Sequence, residues 1–246
     1  MKNPLLLALL VLGTLLPVAA RGQPPDELRL AIPHINYDDV GTKSTAAILA
    51  QMGLIGLGSG AGPTLTTIFL YGRGLDPAFS PVLEFSESML AGTMDHFETE
   101  RDYDYVVVTT PDFAEIVRVI AASMNRIIPD VAPCPDHAPA FIPLGGVYDH
   151  WAVVTGTRAD VDPYLNPEAT IEGFWLDDPR IYNLDPDGNL LDTNIFYSTD
   201  PGGLDAVYQP MSVGPSAGRY VAVVHMTDFP VPARAKSWGR IKARYR

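Results

Sequence analysis

The stretch that decides the fold is Asp149-His150-Trp151-Ala152-Val153-Val154-Thr155-Gly156. A histidine precedes an apolar, β-branched run that ends at a glycine, which is typical of a buried strand with an ionisable group at its entrance. A second run, Gly173-Phe174-Trp175-Leu176-Asp177-Asp178-Pro179, predicts another strand that ends in two carboxylates. If the strands are neighbours, an aspartate can accept the ring N–H and set the tautomer of the histidine. The pair would then be half of a nucleophilic active site.

The rest of the chain predicts helices in the first half and strands in the second, which is the pattern of an α+β fold. Asp39, Thr42 or Ser44 can cap a helix that runs to about Met52, and the glycine-rich segment Gly53–Pro63 is expected to be a linker. Residues 64–71 fit either a strand or a short helix. Further helices are predicted at Pro81–Met94 and Phe113–Ile128, and strands at Leu28–Ile32, Tyr103–Thr109, Ala140–Leu144, Trp151–Thr155, Ile171–Leu176 and Tyr220–His225.

The N-terminus predicts export from the cytoplasm. Lys2 is followed by the apolar run Leu5–Leu16 and by the small residues Val18-Ala19-Ala20, as in a secretory signal peptide. We therefore expect a signal peptide at residues 1–20, a single domain at residues 21–230 and a basic tail at residues 231–246. The expected location is secreted or extracytoplasmic, with no membrane span in the mature chain.

Charge and cysteine content exclude some classes of function. The formal net charge is −12, which argues against nucleic acid as a partner. Cys134 is the one cysteine, so the chain has no internal disulfide and cannot build a cysteine-rich zinc site. We expect no cofactor and no metal, and a core stabilised by packing alone.

The two strand motifs resemble those of the bacterial C39-like cysteine peptidases, which have a papain-like fold. In that family a His-aromatic-Val-Val-Val-x-Gly strand supplies the base, and a Gly-Phe-x-x-x-Asp-Pro strand supplies the aspartate that orients it. The resemblance implies that His150 is the base and Asp178, directly before Pro179, the orienting residue. It also implies a helical N-terminal half packed on an antiparallel sheet.

The family's nucleophile has no counterpart in this sequence. The resemblance places a Cys-Gly-Pro segment at the start of the central helix, where the helix dipole lowers the pKa of the thiol. Here the aligned residue is Gly41 or Val40, depending on the register, and neither can attack a carbonyl. No glutamine stands at the oxyanion-donor position, and Asn36 is the nearest amide. The candidate ligand-binding residues of the cleft are then Asn36, Gly41, Trp151 and Asp177.

Because the nucleophile of the family is missing, the sequence leaves three hypotheses for the function. The leading hypothesis is a non-catalytic relative, a pseudopeptidase, whose cleft binds a peptide or another extracellular ligand. The second is an active hydrolase that uses the hydroxyl of Ser44 or Thr45, or the thiol of Cys134, with His150 as base. Ser44 and Thr45 fit helix caps and Cys134 fits an inert thiol between two prolines, so this hypothesis ranks second. The third is a structural cell-surface protein in which His150 is a core residue.

One further segment resembles a cation-binding loop. Asn183, Asp185 and Asp187-Gly188 have the alternating oxygen ligands and the glycine of the front half of a calcium loop. The twelfth position is Asn194, so the bidentate glutamate is missing. A hairpin turn explains the same residues and is preferred.

Overall fold

The structure is a computed structural model, and it describes residues 26–35, 44–57, 63–78, 84–97, 105–126, 137–148, 150–180 and 193–225. Several predicted features lie outside the described residues: the signal peptide at 1–20, the basic tail at 231–246, the turn at Asn183–Gly188, Asn36, Gly41 and Cys134. The described part of the chain falls within the expected domain at residues 21–230.

Helices and strands follow one another as the α+β pattern predicts. In chain order they are β1 Asp26–Arg29, α1 Thr45–Gly56, α2 Leu65–Leu75, α3 Glu87–Phe97, β2 Tyr105–Thr110, α4 Phe113–Asn125, β3 Ala140–Pro143, β4 Trp151–Ala159, β5 Ile171–Asp177, β6 Asn194–Ser198, α5 Leu204–Val207 and β7 Tyr220–His225.

The described strands form one antiparallel sheet of seven strands in the order β2-β7-β3-β4-β5-β6, with β1 paired to the second half of β4. The strand of His150 and the strand of Asp178 are neighbours, since β4 pairs with β5 from Val153↔Asp177 to Ala159↔Ile171. The predicted α+β class and antiparallel sheet are therefore confirmed.

The sheet is covered on both faces. Along β7, Val221 and Val223 pack into a core with α1, α2 and α3, whereas Ala222 and Val224 pack into a second core with α4. The central strands β3 and β4 alternate in the same way, so they are apolar on both sides and need cover on both sides. The helices of the first half therefore do not all lie on one side of the sheet, because α4 crosses to the opposite face.

Helix α1 is the central helix of the first core. Ser44 caps it: its backbone is extended and its hydroxyl accepts a hydrogen bond from the N–H of Ala47 at 3.1 Å. Nearly every residue from Thr45 to Leu54 is buried, as the run of alanines and aliphatics predicts. The helix continues four residues past its expected end at Met52. Glycine allows this, because a Cβ at Gly53 would lie 2.9 Å from the Phe141 ring and one at Gly56 2.9 Å from Ile32.

Several elements differ from the sequence predictions. Helix α3 begins at Glu87 rather than at the predicted Pro81, and strand β1 ends at Arg29 rather than at Ile32. Residues 65–75 form a helix, which settles the open choice at 64–71. Strand β6 and the short helix α5 were not predicted. In β6, Ile195, Phe196 and Tyr197 carry the β-branched and aromatic signal of a strand. That signal is short, and it sits at an edge of the sheet where every residue is only half-buried.

Candidate functional site

His150 and Asp178 meet where β4 begins and β5 ends. The Nε2 of His150 lies 2.6 Å from Oδ2 of Asp178, so the predicted hydrogen bond between the two strand motifs is present. The N–H of Leu144 donates to the carbonyl of His150 at 2.8 Å, which extends the β3–β4 ladder to the histidine and fixes its backbone. The His150 side chain is 28% exposed and that of Asp178 is 8% exposed. The pair is thus a partly open site rather than a closed core contact.

The hydrogen bonds of Asp178 define which ring nitrogen of His150 carries the proton. Oδ1 of Asp178 accepts the N–H of Arg180 at 2.9 Å, and Oδ2 faces the imidazole. An ionised carboxylate can only accept hydrogen bonds, so Nε2 of His150 is the donor. In the neutral ring Nδ1 then keeps its lone pair and is the nitrogen that can accept from a ligand or act as a base.

The N-terminus of α1 lies directly beside His150. The N–H of Trp151, the residue after His150, donates to Oγ1 of Thr45 at 3.1 Å. Of the three caps that the sequence allows for this helix, Ser44 is the one that the structure uses. The residues directly before Ser44, including Asn36 and Gly41, lie outside the described residues.

A buried glutamate occupies the same helix N-terminus. Oε1 of Glu84 accepts the hydroxyl of Ser44 at 2.7 Å and the N–H groups of Ala46 and Phe85 at 3.0 Å each. Its Oε2 accepts the hydroxyl of Thr45 at 2.7 Å and the N–H of Thr45 at 2.8 Å. A carboxylate here satisfies N–H groups that the first turn of a helix leaves free and interacts favourably with the helix dipole. Glu84 is therefore the acceptor that holds the start of α1.

Burial and hydrogen bonding act in opposite directions on Glu84. Burial raises the pKa of the Glu84 carboxyl above its ordinary value of 4.5, and the hydrogen bonds from Ser44, Thr45, Ala46 and Phe85 lower it by less. Sequence reasoning missed this residue. A charge inside the apolar run Val82-Leu83-Glu84-Phe85 was the available signal.

The hydroxyl groups of both candidate nucleophiles, Ser44 and Thr45, are hydrogen-bonded to Glu84. Ser44 and Thr45 are both fully buried. Their hydroxyls donate to the carboxylate, and Thr45 in addition accepts from Trp151. In this geometry the Ser44 hydroxyl donates to Glu84 and accepts from the N–H of Ala47, so it serves as a helix cap.

Two of the candidate binding residues are also buried. The Trp151 ring is fully buried in the first core and its Nε1–H donates to the carbonyl of Tyr148 at 3.2 Å, so it is placed as a packing residue. Asp177 is likewise fully buried. Its Oδ1 lies 2.7 Å from Nδ1 of His34 and its Oδ2 accepts the hydroxyl of Thr193 at 3.1 Å. This second histidine–aspartate pair was not expected from the sequence, where His34 stands in an unremarkable loop.

Other features of the described residues lie apart from this site. A cavity of about 300 Å³ is lined by residues of the C-terminal end of α1 and of the chain after β1, including Leu57, Ile32 and His137. It is at the far end of a helix about 18 Å long, so it does not belong with His150. No group of three or more metal-ligating side chains gathers in the described part of the chain. Asn194, the twelfth position of the proposed calcium loop, lies in β6, and its side-chain oxygen accepts the hydroxyl of Thr155.

None of the described helices is both long and apolar enough to span a membrane. Comparison with known proteins adds no relative, because no family model, no curated protein and no solved structure matches the chain.

Proposed function

We propose that this chain is a secreted, papain-like protein related to the C39-like peptidases, and that it binds a peptide at His150 without cleaving it. The observation that carries the proposal is the contrast between the two sides of the site. The His150–Asp178 pair is assembled at 2.6 Å and partly open, whereas both hydroxyls at the neighbouring helix start, which contacts the Trp151 N–H, donate to Glu84.

The base side of the site can bind without a nucleophile. An imidazole whose Nε2–H is held by Asp178 offers a lone pair at Nδ1, and peptide N–H groups are donors of the matching kind. Because Asp178 is held in turn by the Arg180 N–H, the ring does not have to be ordered on binding. The acidic chain, with its net charge of −12, favours peptides that carry few negative charges.

The helix side of the site argues against hydrolysis by Ser44. A serine nucleophile needs its proton taken by the base, and here the Ser44 hydroxyl points its proton at Glu84. The carboxylate also places negative charge at the α1 N-terminus, where a developing oxyanion or thiolate would otherwise be stabilised.

The test is binding of a fluorescent peptide library to the wild type and to His150→Ala. We expect the variant to lose about tenfold in affinity with an unchanged melting temperature, since a hydrogen bond contributes about 1.5 kcal/mol and 1.4 kcal/mol is a factor of ten. His137→Ala is the matched control, because His137 is a partly buried histidine beside the separate cavity. A drop of several degrees in melting temperature with no ligand lost would instead support the structural role.

Turnover and covalent-labelling assays distinguish the hydrolase hypothesis from the binding proposal. We expect no turnover of the library and no labelling by serine- or thiol-directed covalent probes. We also expect Ser44→Ala to cost about 1 kcal/mol of stability as a lost helix cap. Labelling that disappears in Ser44→Ala or in Cys134→Ala, together with turnover that disappears in His150→Ala, would replace the binding proposal with an enzyme.

A further inference from the structure

The hydrogen-bonded chain His34–Asp177–Thr193 lies immediately beside the His150–Asp178 pair. Asp177 is fully buried and both of its oxygens are used, by Nδ1 of His34 at 2.7 Å and by the Thr193 hydroxyl at 3.1 Å. The His34 side chain is only 7% exposed. A fully buried carboxylate with two donors is a strong anchor, because removing a donor leaves a buried charge unsatisfied.

The buried Asp177 lies at the point where β5 ends and its pairing with the neighbouring strands stops. Asp177 is the last residue of β5, and its register partners Val153 and Asn194 are the last ladder pairs on either side. Asp178 is the next residue and has no ladder partner of its own among the described strands. The position of its carboxylate therefore depends on how firmly Asp177 is held.

The hydrogen bond between His34 and Asp177 also joins two parts of the chain that are distant in sequence. His34 follows β1 and precedes α1, whereas Asp177 lies 143 residues further along the chain. The bond from His34 thus ties the chain just after β1 to the end of β5.

A purely space-filling role does not explain the choice of histidine. Within the described residues Nε2 of His34 is buried and has no hydrogen-bond partner. An unsatisfied buried polar atom costs about 1–3 kcal/mol. An apolar side chain would avoid that cost, so the role of the histidine lies in Nδ1, which donates to Asp177.

We propose that His34 is a positioning residue: through Asp177 it fixes the end of β5 and so holds Asp178 within hydrogen-bonding distance of His150. This inference rests on the proposed site at His150, but it concerns the geometry of the free protein. It can therefore fail or succeed independently of whether a peptide binds.

The test uses the imidazole N–H signals of protein labelled with ¹⁵N-histidine, recorded by NMR at neutral pH without ligand. In the wild type we expect the Nε2–H of His150 to give a downfield, slowly exchanging proton signal, because it donates to Asp178. We expect His34→Leu to weaken or abolish that signal, and His34→Asn to retain it, since the asparagine amide can donate in place of Nδ1. His137→Leu, a substitution of a histidine bonded to the Arg126 carbonyl, is the control and should leave the signal unchanged.

Two results would overturn the proposal. One is a His150 signal that is unchanged in a folded His34→Leu protein. The other is a His34→Asn protein that behaves like His34→Leu, which would show that the second ring nitrogen matters rather than the bond to Asp177. If His34→Leu does not fold, Thr193→Val removes the weaker donor to Asp177. It should then broaden the same signal, and an unchanged signal would again contradict the proposal.

Discussion

Single residues decide whether this site can do chemistry, and Glu84 is the most informative of them. It joins the first turn of α1 to the segment before α3 through its bonds to Ser44, Thr45, Ala46 and Phe85. Position 84 is forty residues from Ser44 in sequence, so no local pattern links the two. The same carboxylate that stabilises the helix start occupies the hydroxyls that the hydrolase hypothesis requires.

Replacing Glu84 with glutamine should destabilise the protein strongly. The amide has one acceptor oxygen, so its NH₂ group must face N–H donors of Thr45 or of Ala46 and Phe85. We expect a loss on the order of 3 kcal/mol in the free energy of unfolding, since buried donors are left unsatisfied. Urea unfolding followed by circular dichroism measures it, and a loss below about 0.5 kcal/mol, typical of a surface substitution, would contradict the assignment.

The pH dependence of the Glu84 contribution has a definite sign. Because burial raises the pKa of Glu84 above 4.5, its contribution is fully present below that value and is lost as the pH rises through the folded-state pKa. The hydroxyls of Ser44 and Thr45 can accept as well as donate, so they can bond to either form of the carboxyl. The stability difference between wild type and Glu84→Gln should therefore shrink from pH 4 towards pH 7. A difference that grows with pH would show that the hydrogen bonds outweigh burial.

Among the elements, β4 contains most of the motif that predicts the fold and lies in the middle of the sheet. It pairs with β3, β5 and β1, and its residues contribute to both cores. The glycine that ends the opening motif has a specific purpose, because β1 approaches closely there. A Cβ at Gly156 would lie 2.5 Å from the Leu28 carbonyl oxygen and 3.1 Å from the Trp175 ring.

Substitution of Gly156 by alanine should displace β1. The clash with backbone cannot be relieved by a rotamer change, so we expect a loss of about 1–3 kcal/mol. Faster hydrogen exchange is expected at the N–H of Leu30, which donates to the Thr155 carbonyl at 2.7 Å. Gly74→Ala is the control, because nothing lies within 4 Å of a Cβ there and the residue is in α2. That control should be neutral or stabilise by up to about 1 kcal/mol. Equal effects at the two glycines would rule out the close approach.

In the whole molecule, two apolar cores share one sheet. Ile48 of α1 and Ile120 of α4 are buried in different cores on opposite faces, yet β3, β4 and β7 supply side chains to both. A strand cannot lose its packing on one side without weakening the other. The two cores should therefore unfold together.

Cavities in either core test this coupling. Ile48→Ala and Ile120→Ala should each cost about 2–5 kcal/mol and lower the midpoint of a single transition. Far-ultraviolet circular dichroism, which reports the helices of both cores, and tryptophan fluorescence, in which Trp151 reports the first core, should give the same midpoint for both variants. Two separate transitions in either variant would show that the cores are independent.

The sequence by itself determined the fold class, most of the element positions and a histidine–aspartate pairing between the two strand motifs, in which the resemblance implied Asp178. These depend on short-range information: alternation along strands, the three-four spacing of α4, the cap at Ser44 and the polar residues that end two apolar runs. The relation to C39-like peptidases remains a proposal that rests on the same two strand motifs.

Only the tertiary structure decided the contacts between residues far apart in sequence. The packing of the elements decides three of them: Glu84 at the start of α1, His34 on Asp177, and α4 on the opposite face of the sheet. The physical reason is that a buried polar group must find its partner wherever the fold supplies one. Such a partner leaves no periodic trace, and a lone charge in an apolar run, such as Glu84, is the only mark it makes on the sequence.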